Sequence, residues 1–86
     1  MEGARWNELK DIRLKRTRGV SFEEITNAKL LRIKEHPTRP GQNIMLFEHK
    51  GQVWVVPFVQ HGDHLFLKTL YPSRKYTKLY RRDQLT

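Results

Sequence analysis

The run VWVVPFV, Val53 to Val59, is apolar at odd and even positions alike. Successive side chains of a strand point to opposite faces, so this segment must be covered from both sides. At 86 residues the chain has room for one domain with a modest core, and a sheet sandwiched between two thin layers meets both demands. The N-terminal segments are expected to supply one cover; the other must come from elsewhere. Pro57 interrupts the run. It has no N–H to donate to a ladder, which predicts a bulge there, or a place where a neighbouring strand has already ended.

The period of the sequence changes near residue 30. Before it the pattern is helical: Asn7 can cap a helix running to Arg18, with Trp6, Leu9 and Ile12 along one side and Arg13, Lys15, Arg16 and Arg18 mostly on the other, and Gly19 ends it. In SFEEI, Ser21 and Glu24 have the spacing of a reciprocal capping box, which predicts a short helix from Phe22 to about Lys29. After Leu30 the period is two. LLRIKEH, NIMLFEHK and QVWVVPFVQ read as strands, and a fourth strand ends near Tyr71. Gly51 and Gly62 mark hairpin turns. Pro72 and Ser73 stop the last strand and open a short basic helix. The expected fold is α+β, with two N-terminal helices packed on a four-stranded antiparallel sheet and a short C-terminal basic helix, in a single domain over residues 1–86. Trp6, Phe22, Trp54 and Phe58 are assigned to the core.

There is no cysteine, so neither a disulfide framework nor a thiolate metal site is available. No apolar run has the length of a signal peptide core or a membrane span, and a cytoplasmic protein without membrane contact is expected. The net charge of +8, from 17 Lys and Arg against nine Asp and Glu, points to polyanionic partners such as nucleic acid or an acidic protein.

Two groups of residues carry a family resemblance. One is Trp6, Lys10 and the turn Gly19, Val20, Ser21, Phe22, Glu23, Glu24; the other is Arg74, Lys75 and Thr77 in SRKYT. With the order of elements between them, the chain resembles the BrnT family of bacterial toxins, in the RelE/ParE-like superfamily, over nearly its whole length. Leu14, Arg18 and Tyr76 depart from the family pattern, as does the lack of a glutamate after Thr77. The resemblance implies a RelE-like fold and a toxin of a type II toxin-antitoxin pair that arrests growth by cleaving RNA. It also implies a cognate antitoxin, typically a small DNA-binding protein of ribbon-helix-helix or similar type, through which the complex reaches operator DNA.

Metal-independent RNA cleavage needs three things: a base for the 2′-hydroxyl, positive charge on the phosphoryl oxygens, and an acid for the leaving 5′-oxygen. Arg74 suits the charge role, because a guanidinium grips two oxygens at once and stays ionised. Lys75 is its nearest helper. Lys68, read as mid-strand on the face of Phe66 and Leu70, needs a partner, an opening or a ligand. Arg32, Lys34 and His36 share one face of the first strand by the same alternation. If that face and the Lys68 face coincide, they form a basic concave surface for RNA, which Lys78 and Arg81 extend. The base or acid is sought among His61, His64, Glu48 and Tyr80. The four histidines lack metal-site spacing, so neither a metal nor any other cofactor is expected. Two alternatives stay open: a non-catalytic basic module that only binds nucleic acid, and a toxin inhibiting a target other than RNA.

Overall fold

The computed structural model describes residues 1–86. Helix α1 spans Glu8–Arg18 and opens as its sequence requires, with the Asn7 side chain accepting from the Lys10 N–H. It closes at Gly19, which takes the left-handed φ of 78° that glycine adopts without a Cβ penalty. Helix α2, Phe22–Thr26, has both halves of the capping box. It ends earlier than expected because Asn27 caps it and Lys29 already belongs to a strand. The Asp11 carboxylate accepts from the Phe22 N–H at 2.7 Å and ties α1 to the start of α2. Lys15 reaches Glu24 at 2.7 Å. That contact, with the Ser21 N–H, holds the Glu24 carboxyl well below its ordinary value, at about 2.

The sheet corrects the sequence reading. It has six strands and is mixed rather than four-stranded and antiparallel. Strands β2 (Lys29–Glu35), β3 (Asn43–His49), β4 (Gln52–His61) and β5 (His64–Leu67) form the expected antiparallel meander. Two short strands join it: β1, Ala4–Arg5, lies parallel to β5, and β6, Tyr71–Ser73, pairs with the first half of β4. Segments of two and three residues are too short to carry a period. Pro72 therefore does not stop a strand but sits inside β6, on an outer edge where its missing donor costs no ladder bond.

Strands β3 and β4 are buried on both faces. On one face α1 and α2 cover Met45, Phe47, Trp54, Val56 and Phe58, and Trp6 stacks on Phe22 at 5.5 Å. On the other, Ile44, Leu46, Val53 and Val55 lie under Tyr71, Tyr76, Tyr80 and Leu85. The second cover is thus the chain's own last helix, α3 (Arg74–Arg81), with the tail behind it. Helix α1 packs differently from its expected stripe. Leu14 is the buried residue, while Leu9 and Ile12 are 74% and 55% exposed.

Pro57 falls at the break between β6 and β5. The register of β6 on β4 stops at Val55 and that of β5 begins at Phe58. The Pro57 carbonyl accepts from the Lys68 N–H at 2.8 Å, but Pro57 has no N–H to return the bond, and β5 ends at Leu67.

Candidate nucleic-acid interface

The position of α3 is set by one buried hydroxyl. Ser73 caps the helix by accepting from the Tyr76 N–H, and Thr77 Oγ1 accepts from the Val53 N–H at 2.8 Å while donating to the Ser73 carbonyl at 2.6 Å. Arg74, Lys78, Arg81 and Arg82 then fall on one flank of the helix, at helical spacing. With Gln52 and Thr77 they line an open groove of about 460 Å³ in which no carboxylate takes part. Arg81 is oriented by the Gly51 carbonyl at 2.9 Å.

A second basic site lies on the same sheet face, further along β4. Lys34 pairs laterally with Ile44, Ile44 with Pro57, and the Pro57 carbonyl holds the backbone of Lys68, so one row across the sheet has a lysine at either end. The Lys34 and Lys68 faces coincide. His36 and Lys68 line a cavity of about 310 Å³ with Arg39, Thr69 and Tyr71 around Pro57. Lys68 differs from its sequence reading in one respect: it lies beyond the end of β5, in the link to β6, where it is exposed, and Leu70 is buried beneath α1 and α2 instead of sharing its face.

The other candidates are dispersed. Lys34 and Lys75 each place an ammonium over the Tyr76 ring, at 5.4 and 5.7 Å, on the flank of α3 opposite Arg74. Arg32 and Lys34 reach the Leu85 and Thr86 carbonyls of the tail, at 3.4 and 3.2 Å. Tyr80 donates to Glu48 at 3.0 Å, so these two meet each other, turned away from Arg74, and Glu48 also faces Lys29 across the ladder. His61 and His64 flank the β4–β5 turn with stacked rings at 6.2 Å, and His64 lies 3.6 Å from Asp63. Ser73 pairs with Val53, eight positions from His61 on β4, which places these histidines roughly 27 Å from the start of α3. None of the four sequence candidates for acid or base shares the Arg74 flank. No three His, Asp or Glu side chains converge as metal ligands would, and no helix is long and apolar enough to cross a membrane.

Among the lining residues that escaped the sequence reading are Arg39, Thr69, Tyr71 and Arg82. Arg82 continues the spacing of Arg74 and Lys78, a signal available in the sequence. Arg39 and Tyr71 become neighbours only through sheet register.

No protein-family model and no curated protein matches the chain. Among solved structures, the crystal structure of the Brucella abortus ribonuclease toxin BrnT, at 1.1 Å resolution, superposes with a TM-score of 0.51. The fold is BrnT-like. At 21% identity the likeness spans 79% of this chain and 91% of that one, so it concerns the architecture as a whole. Around this BrnT-like framework the basic groups are unevenly placed: eleven of the 17 Lys and Arg residues, but only four of the nine acids, lie from Lys29 onward.

Proposed function

We propose that this chain is an endoribonuclease of the toxin class, cutting RNA without a metal ion and neutralised by a cognate antitoxin. The observation that carries the reading is the groove on α3, where four cations gather with no carboxylate to neutralise them. The BrnT-like fold, shared with a ribonuclease toxin, supports the same class. In this reading the 2′-hydroxyl attacks the adjacent phosphorus in line and the bond to the 5′-oxygen breaks, leaving a cyclic phosphate and a free 5′-hydroxyl. Arg74 meets the charge that develops on the phosphoryl oxygens, Lys78 and Arg81 in the same groove and Lys68 beyond it hold neighbouring phosphates, and Lys75 would join them only by leaving the Tyr76 ring. The antitoxin is a small DNA-binding protein that brings the complex to operator DNA.

A second reading is favoured by one specific feature: the Arg74 flank has charge but no proton acceptor, as suits a module that only grips a phosphate backbone. The two separate in a single assay. Purified total RNA is incubated with chelator, without ribosomes, using wild type, Arg74→Ala and Arg74→Lys at matched folding. The nuclease reading expects wild type to cut and Arg74→Ala to lose about 10²-fold or more in rate, with little rescue by lysine, whose single point charge cannot bridge two oxygens. RNA that is bound but left intact, with translating ribosomes as well as without, assigns the chain to the binding module. Growth arrest that persists with neither binding nor cutting points to a target other than RNA.

A further inference from the structure

The cavity between the β2–β3 loop and the β5–β6 link has its own chemistry. We propose that it is a second, discrete phosphate site, which takes a phosphodiester of the same single RNA strand that Arg74 holds. The proposal rests on the RNA reading above and adds to it a site, its donors and a spacing.

The donors differ in kind and converge from two segments, the β2–β3 loop and the β5–β6 link. His36 Nδ1 accepts from the Thr38 and Arg39 N–H groups, each at 3.1 Å. A ring nitrogen used as an acceptor carries no proton, so the neutral imidazole has its N–H on Nε2 and offers a donor. The turn thus sets the tautomer of the ring. Arg39 adds a guanidinium from the same loop and Thr69 a hydroxyl from the opposite rim, where Lys68 also lines the cavity and holds its ammonium 5.8 Å from the Phe66 ring, within a side chain's swing of the site. The ring of Pro57 contributes an apolar wall with no competing donor. No carboxylate lines the cavity, and its 310 Å³ lies at the small end of ligand pockets, enough for a phosphate with part of its ribose.

Strand β4 measures the separation of the two sites. Ser73, the residue before Arg74, pairs with Val53, and Lys68 is bonded to Pro57, four positions on, which amounts to about 13 Å. A single strand rising ~3.4 Å per nucleotide when stacked, and more when stretched, covers that distance in about two to four nucleotides. Once the first phosphate is seated, the second binds at a raised effective concentration. Affinity should therefore step upward when an oligonucleotide becomes long enough to span both sites, rather than climb evenly with charge.

The test uses fluorescence anisotropy with labelled 2′-O-methyl oligouridylates of two, four, six and eight nucleotides, which bind but cannot be cut. We expect a step of about tenfold or more between two and six nucleotides. Arg39→Ala and Lys68→Ala should each remove most of that step and lower the salt dependence of six-nucleotide binding by about one phosphate contact. Arg16→Ala, which removes an exposed cation on α1, is the control and should leave the step in place. Lys68→Gln removes the charge while keeping most of the side chain and serves if the alanine variant melts early. Affinity rising evenly with length, or Arg16→Ala costing as much as Lys68→Ala, overturns the proposal. Because these oligonucleotides cannot be cleaved, a clear step in a protein that leaves ordinary RNA intact would sink the nuclease reading and keep this one.

Discussion

Thr77 holds two backbone groups with one hydroxyl, the Val53 N–H and the Ser73 carbonyl, under the helix that carries most of the basic groove. Thr77→Val preserves the shape but leaves a buried donor unpaired. It should cost about 1–3 kcal/mol, read from the shift of a urea unfolding midpoint; a loss under about 0.5 kcal/mol would mean that the hydroxyl is dispensable. Glu24 gives a prediction in pH. Its carboxyl falls from an ordinary 4.5 to about 2, first because of Lys15 and then because of the Ser21 N–H. The unfolded chain binds a proton there more readily, so the contribution is complete above about pH 4.5 and disappears as the pH falls toward 2. Melting temperatures of wild type and Glu24→Gln should accordingly differ at pH 6 and converge near pH 2. A difference that stays constant across that range would mean that ionisation of Glu24 is not what stabilises the α1–α2 junction.

At the scale of elements, α1 and α3 behave in opposite ways. The stripe read on α1 placed Leu9 and Ile12 inward, yet they are exposed and Leu14 fills the core instead. Leu14→Ala should therefore destabilise by about 2–5 kcal/mol, whereas Leu9→Gln and Ile12→Gln should stay within about 0.5 kcal/mol in chemical denaturation. The reverse ranking would restore the original stripe. Helix α3 is short, and its two flanks differ. One carries Arg74, Lys78, Arg81 and Arg82; the other presents Tyr76 and Tyr80 to β2 and β3. Tyr80→Phe removes only the hydrogen bond to Glu48. If Tyr80 has no part in proton transfer, the variant should keep RNA cleavage within about twofold and lose about 0.5–1.5 kcal/mol of stability. A fall of 10²-fold or more in the cleavage rate would return Tyr80 to the chemistry.

For the whole molecule, charge and topology act together. The positive excess lies from Lys29 onward, and the topology folds that part of the chain so that α3, the β2–β3 loop and the β5–β6 link surround one sheet face. Binding to single-stranded RNA should weaken steeply with salt, with a log–log slope whose size counts the phosphates neutralised. Removing Arg74 and Lys68 together should lower that slope by about two if both contact the same strand, and by about one if only a single site is used.

Local physics made much of this protein legible in its sequence. The caps at Asn7, Ser21 and Ser73, the glycine at the end of α1, the hairpins at Gly51 and Gly62 and the two-sided run Val53 to Val59 each depend on residues a few positions apart, and each was readable without a structure. Of the two expectations for Pro57, a bulge or the end of a neighbouring strand, the second holds. Only the tertiary structure decided what depends on register. It placed Lys34 and Lys68 at the ends of one row, joined Arg39 and Tyr71 to His36, separated His61 and His64 from Arg74 by most of the length of β4, and added β1 and β6, which are too short to announce themselves. Periodicity says which face a side chain takes on its own strand. Which strands lie side by side, and at what offset, is settled by packing across the whole sheet, and on that offset the basic sites depend.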